Sequence, residues 1–192
     1  MRLIDNSLTD FDGICKRFRW SIPEYLNVAQ QVCERHQARA DQVAVYAENS
    51  MGDRSSYRFA ELKEYSDRFA NVLRANGVKR GDRVAIVLPQ TIETIVAHLA
   101  IHKLGAVSLP LAILFGPEAL EYRLRDSGAC VAIVHASRYD DVRLLQPELA
   151  ELQMVIGCRC GEADDEFWSL LQRGADDFEM VQTRADDPAC LI

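Results

Sequence analysis

Residues 83–111 read RVAIVLPQTIETIVAHLAIHKLGAVSLPL, and this stretch decides the fold. Val84 to Leu88 make an unbroken apolar run closed by Pro89, the pattern of a strand covered on both faces. A helix follows from about Thr91 to Leu104, with Ile95, Val96 and Leu99 on its buried stripe. Gly105 breaks that helix, and AVSLP returns as a strand ending at Pro110. Strand, helix and strand in this order make a βαβ unit, whose two strands run parallel.

The alternation continues on both sides. Upstream, QVAVYAE is a short β-rich run. A helix then begins near Phe59 and closes at Asn76 and Gly77, with Leu62, Tyr65, Phe69, Val72 and Leu73 on one stripe. Downstream, a helix starts at Pro117, a favoured first position, and ends near Ser127 and Gly128. CVAIVH is a second covered strand. A weaker cycle follows: DDVRLLQ is helical, Pro147 interrupts it, MVIGC is a strand and FWSLLQR a short helix. The fold class is α/β, a mainly parallel sheet flanked by helices that contains Val84–Leu88, Val107–Leu109 and Val131–Val134. Residues 1–40 form a weakly patterned lead-in with one helix after Pro23, its apolar side made by Leu26, Ala29, Val32 and Cys33. Residues 41–192 form the α/β subdomain.

Composition narrows the partners. With 192 residues and 48% of them hydrophobic, the chain is long enough for one α/β domain or most of one. A formal charge of -7 offers no positive field for a nucleic acid backbone or an anionic membrane. The most apolar stretch, Thr94 to Phe115, carries His98, His102, Lys103, Gly105 and Pro110, so it reads as buried helix and strand and not as a membrane span. Early acidic residues, Asp5, Asp10 and Asp12, do not resemble a secretory signal, and a cytoplasmic location is expected. The six cysteines lack CxxC spacing and read as reduced, packed thiols.

The phosphate-binding and nucleophile signatures common on such sheets are missing. There is no GxGxxG after a strand, and GVKRG brackets a turn without the GK[ST] of a P-loop. Ser108 lacks the flanking glycines of a nucleophile elbow. His98 and His102 stand four apart on the helix, but Leu99 occupies the place of a zinc protease's glutamate, so they read as flanking the buried stripe. The adjacent acids Asp140–Asp141, Asp164–Asp165, Asp176–Asp177 and Asp186–Asp187 read as caps and solvated turns.

Whole-segment likeness goes further. SYRFAELKEYSDRFANVLRANGVKRGDRVAIVLPQ, then AHLAIHKLGAVSLPL, then FGPEALEYRLRDSGA resemble the N-terminal region of AMP-forming acyl-CoA synthetases, in the medium-chain and acetyl-CoA synthetase-like branch of the adenylate-forming superfamily. The lead-in FRWSIPEYLNVAQQVCERH is similar to that group's beginning, and DDPACLI resembles the approach to its phosphate-binding loop. The resemblance implies a parent enzyme that uses ATP and Mg²⁺ to turn a carboxylic acid into an acyl adenylate, then passes the acyl group to CoA. It implies that the subdomain is truncated before the phosphate-binding loop, with no catalytic residue, metal ligand or cofactor of its own. The expected partners are the remainder of the large domain and the C-terminal domain, with self-association through the uncovered surface.

One residue is carried over as a ligand contact: Arg123, on the helix after Pro-Glu-Ala, matches an arginine near the nucleotide end of CoA. Its place at the edge of the Leu120–Leu124 stripe lets packing hold its stem. An ordinary structural arginine is the competing reading. Arg125 lies four after Glu121 and reads as a surface ion pair. Two departures from the family pattern are visible. Arg58 replaces the capping threonine before Phe59, which removes half of a box whose Glu61 remains and costs about 1 kcal/mol if nothing else caps the helix. LAILFGPEA is less aromatic than the family's version. The alternatives to an enzyme fragment are a non-catalytic α/β module that binds CoA or an acyl group, and a pure interaction domain.

Overall fold

The computed structural model describes residues 10–161 and 165–192. Helices α1 (Phe11–Arg17) and α2 (Val28–Val32) and a 3-10 turn over Glu34–Arg39 lead into a hairpin of β1 (Val43–Glu48) and β2 (Arg54–Arg58). Then α3 (Phe59–Ala75), β3 (Arg83–Val87), α4 (Ile92–Lys103), β4 (Val107–Pro110), α5 (Pro117–Ser127), β5 (Val131–His135), α6 (Ala136–Leu145), β6 (Met154–Cys158) and α7 (Phe167–Arg173) alternate. Strands β3 to β6 form one parallel sheet, as the covered apolar runs indicate, in the order β4-β3-β5-β6. The hairpin is antiparallel and separate.

The two-residue period of the strands divides the core. Val84, Ile86, Val131, Ile133 and Ile156 join the layer built by α3, α4 and α7, where Phe69 and Phe167 meet with ring centroids 4.4 Å apart. Ala85, Val87, Ala132, Val134 and Val155 point the other way, with Leu120 and Leu124 of α5 and Val142 of α6. Each fully buried Leu, Ile or Phe here adds about 1.5–3 kcal/mol of apolar burial. A one-residue slip of any strand would exchange the two layers, which pins the register.

Helix ends follow local chemistry. Gly128 adopts φ 59°, ψ 42° beyond α5, and Arg83 donates to the carbonyls of Ser127 and Gly128, each at 2.7 Å. At α3 the expected loss at Arg58 is offset. Glu61 accepts from the Arg58 N–H at 2.8 Å, and a guanidinium has no lone pair with which to return the bond. The carbonyls of Gln42 and Ala40 take the Phe59 and Ala60 N–H groups instead, at 3.1 and 3.0 Å.

The lead-in differs from the expectation. The helix expected after Pro23 is α2, which starts only at Val28, where Asn27 caps it by accepting from the Ala29 N–H at 3.0 Å, and α1 is a second helix ahead of it. Residues 24–26 pair instead with a returning C-terminal segment, Leu26 N–H to Thr183 O at 2.9 Å and Ala185 N–H to Glu24 O at 3.1 Å. Leu26 therefore lies outside the helix, and Val32 is 53% exposed. The same returning segment reaches the outer edge of β4, where Ser108 donates to Ala189 and accepts from Leu191. DDVRLLQ is helical as read, within a helix that begins earlier, at Ala136, and Pro147 sits in a 3-10 turn that ends it.

Candidate functional site

Strand β3 leads into α4 on one face of the sheet, and its neighbour β4 leads into α5 on the other. Diverging connections from adjacent parallel strands open a crevice at their carboxyl ends, where open α/β sheets hold ligands. A cleft of about 570 Å³ lies there. Leu88, Pro89 and Gln90 line it from the end of β3, Thr94 and His98 from α4, and Pro110 to Leu114 from the loop beyond β4. Thr94 spends its hydroxyl on the Pro89 carbonyl at 2.6 Å. Burial holds His98 below the usual histidine range, so its ring is neutral at pH 7 and the cleft offers an apolar wall.

Arg123 stands beside this loop. Its guanidinium carbon lies 4.1 Å from the centroid of the Phe115 ring, and Nη1 donates to the Ala119 carbonyl at 3.0 Å. Leu120 and Leu124 are buried, and Arg123 is half-buried at the edge of their stripe. No carboxylate among the described residues pairs with it. Arg125 meets Glu121 at 2.8 Å, the surface pair its spacing indicated. Arg123 thus keeps free N–H donors on a rigidly stacked fork, a group suited to a phosphate oxygen.

The loop is also held by Arg138, which sequence reasoning passed over. From α6 its Nε donates to the Ile113 carbonyl at 3.0 Å and its Nη1 meets Asp141 at 3.1 Å. Only the three-residue spacing to Asp141 was visible in advance. His98 and His102 stack with centroids 6.0 Å apart, and no group of three or more metal-ligating side chains exists among the described residues. Burial, with His98 nearby, pushes His102 down to about 4. Of the adjacent acids, Asp187 meets Arg80 at 2.5 Å and accepts from the Arg184 N–H at 2.9 Å, and Asp186 meets Arg184 at 3.3 Å. Asp176 faces Arg68 at 3.9 Å, and Asp164 lies outside the described residues.

Arg123 is a single guanidinium, suited to one phosphate group. A triphosphate needs several backbone N–H groups converging from one loop. The left-handed glycines of the described residues, 52, 77, 81, 105, 128 and 161, stand in separate turns.

Among the described residues, no helix is long and apolar enough to cross a membrane. The family model for AMP-binding enzymes matches residues 32–192. The acetyl-coenzyme A synthetase of Sodalis glossinidius is 33% identical, over 96% of this chain and 31% of its own length. The 3-hydroxypropionyl-coenzyme A synthetase of Sulfurisphaera tokodaii is 33% identical over 67% of this chain and 20% of its own. A Brucella canis acyl-CoA synthetase structure superposes with a TM-score of 0.83 at 23% identity, covering 95% of this chain and 35% of that one, a likeness of fold. The chain therefore spans 20 to 31% of the length of these two curated relatives.

Proposed function

Because the chain belongs to the AMP-binding enzyme family, we propose that it is the N-terminal part of the large domain of an AMP-forming acyl-CoA synthetase. In this reading the whole enzyme joins a carboxylic acid to ATP, with Mg²⁺, releasing pyrophosphate, and the CoA thiol then displaces AMP from the acyl adenylate. The observation that carries this chain's share is the apolar cleft at the switch point with Arg123 stacked beside it. A guanidinium fixed on a ring loses little freedom on meeting a phosphate, and it pairs with two oxygens at once. Arg123 is assigned to the nucleotide end of CoA, and the cleft to the passage toward the acyl group.

The triphosphate is left to other parts of the enzyme, the remainder of the large domain and the C-terminal domain. Residues 1–40 serve as a lead-in to the subdomain of 41–192. Exposed apolar side chains such as Trp20, Ile22 and Leu114 support a further covering surface or self-association. A cytoplasmic location fits six free thiols.

Calorimetric titration of the chain with CoA tests the assignment. A hydrogen bond to a charged group is worth about 1.5–3 kcal/mol, so Arg123→Ala should weaken binding roughly tenfold or more, and Arg125→Ala should leave it unchanged. Equal affinity of wild type and Arg123→Ala, or no binding of CoA, defeats it. Pyrophosphate exchange with Mg·ATP and a panel of acids should stay at background, and exchange above it would place the phosphate site within these residues.

A further inference from the structure

Ala112, Ile113 and Leu114 of the loop Ala112–Gly116 line one wall of the cleft, and little within the loop itself holds it. Its internal backbone bond runs from the Phe115 N–H to the Ala112 carbonyl at 3.0 Å, and Leu114 at its tip is 86% exposed. Two neighbouring helices supply the constraint. Arg123 of α5 lies over the Phe115 ring at 4.1 Å. Arg138 of α6 reaches the Ile113 carbonyl, 25 residues away in sequence, at 3.0 Å.

We infer that Arg138 is a positioning residue, clamped by Asp141, that holds the loop so that the Phe115 ring sits under Arg123. The fork geometry makes this specific. Nε serves the Ile113 carbonyl while Nη1 serves Asp141 at 3.1 Å, so one planar group ties α6 to the loop in a single orientation. A lysine has one nitrogen for both partners and keeps the charge without the orientation. The side chains of Arg138 and Asp141 are only 30% and 31% exposed, which shields the pair from much of the screening that empties surface ion pairs of value. The effect on CoA rests on the reading of Arg123 given above; the effect on the loop does not.

Two measurements on the 192-residue chain separate those layers. Amide hydrogen exchange at Phe115 reports the loop, with β3 and β5 amides as the control for global stability. Arg138→Ala should speed Phe115 exchange roughly tenfold while the strand amides hold their rates, with Asp141→Asn and Arg138→Lys falling between. Calorimetry should show CoA bound roughly tenfold more weakly by Arg138→Ala, a change of about 1.4 kcal/mol. Phe115 exchange at the same rate in wild type and Arg138→Ala overturns the positioning role, as does full recovery of both readouts by Arg138→Lys. Faster exchange with unchanged CoA affinity overturns the link from loop to ligand. If the wild-type chain binds no CoA, the Arg123 assignment falls and the exchange result alone decides the role of Arg138.

Discussion

Replacing Asp67 by alanine should destabilise the chain more than removal of any exposed charge. The Asp67 and Lys103 side chains are each 1% exposed, and Lys103 Nζ lies 2.6 Å from Asp67 Oδ1. A second carboxylate, Glu34 at 17% exposure, sits 2.6 Å from the same nitrogen, close enough for an ion pair but off the hydrogen-bonding direction. Lys63 meets the other Asp67 oxygen at 2.5 Å and leaves 36% of its side chain in solvent. Two cations and two carboxylates thus join α3, α4 and the 3-10 turn. Breaking a buried pair costs about 3–5 kcal/mol because a charge is left without its partner. Glu34 still faces Lys103 in Asp67→Ala, which puts this variant at the low end, about 3 kcal/mol. Lys103→Met should cost less, about 1–2 kcal/mol, because Asp67 keeps Lys63 and Glu34 can hydrate. The double variant leaves no orphaned charge at the centre and should be no less stable than Asp67→Ala alone. Urea unfolding reads these differences directly. In a thermal scan about 3 kcal/mol corresponds to a fall in Tm of roughly 6–12 °C for a chain of this size. A cost for Asp67→Ala below about 1 kcal/mol, or a strictly additive double variant, would refute the reasoning.

Two further outcomes follow from buried titratable groups. His102 is pushed down to about 4 while the unfolded chain keeps the ordinary value near 6.5, so between these pH values the unfolded state binds more protons. Stability should therefore fall as pH drops from 6.5 toward 4, by roughly 2 kcal/mol from this group. His102→Gln should flatten that loss in urea unfolding at pH 7 and pH 4.5, and an equal pH dependence in both proteins would exclude His102 as its source. Burial pushes Cys33 up to about 11 and Cys158 up to about 12, and raises Cys130 and Cys160 as well, whereas Cys15 and Cys190 are exposed. A thiol-specific disulfide reagent at pH 8 should thus titrate Cys15 and Cys190 fastest in the native chain, the half-buried Cys130 and Cys160 more slowly, and Cys33 and Cys158 only on unfolding; fast reaction of Cys33 or Cys158 in the native chain would contradict the packing.

Much of the α/β frame was legible because its signals are local. Pro117 and Gly128 bound α5 through fixed φ on one side and a left-handed residue on the other, and both act without distant partners. The runs at Val84 and Val131 announce strands covered on both faces because no polar residue interrupts them. Strand β2 stayed hidden because its residues, Arg54 to Arg58, are mostly exposed and carry no apolar period. Lys103 looked like an interruption in an apolar helix, since its partner Asp67 lies 36 residues earlier on α3. Of the candidate site, Arg123 and its Leu120–Leu124 stripe were readable from helical spacing, but the Phe115 ring beneath the guanidinium was not.

The sequence by itself therefore determined most of the strands and helices from β3 to α7 and which family the chain resembles, because these signals depend on neighbours within a turn or two. Tertiary structure alone decided the strand order β4-β3-β5-β6, the pairing of residues 24–26 with 183–185, and the grip of Arg138 on Ile113. Such contacts join groups tens of residues apart, and no local period records the free energy that selects one partner over another.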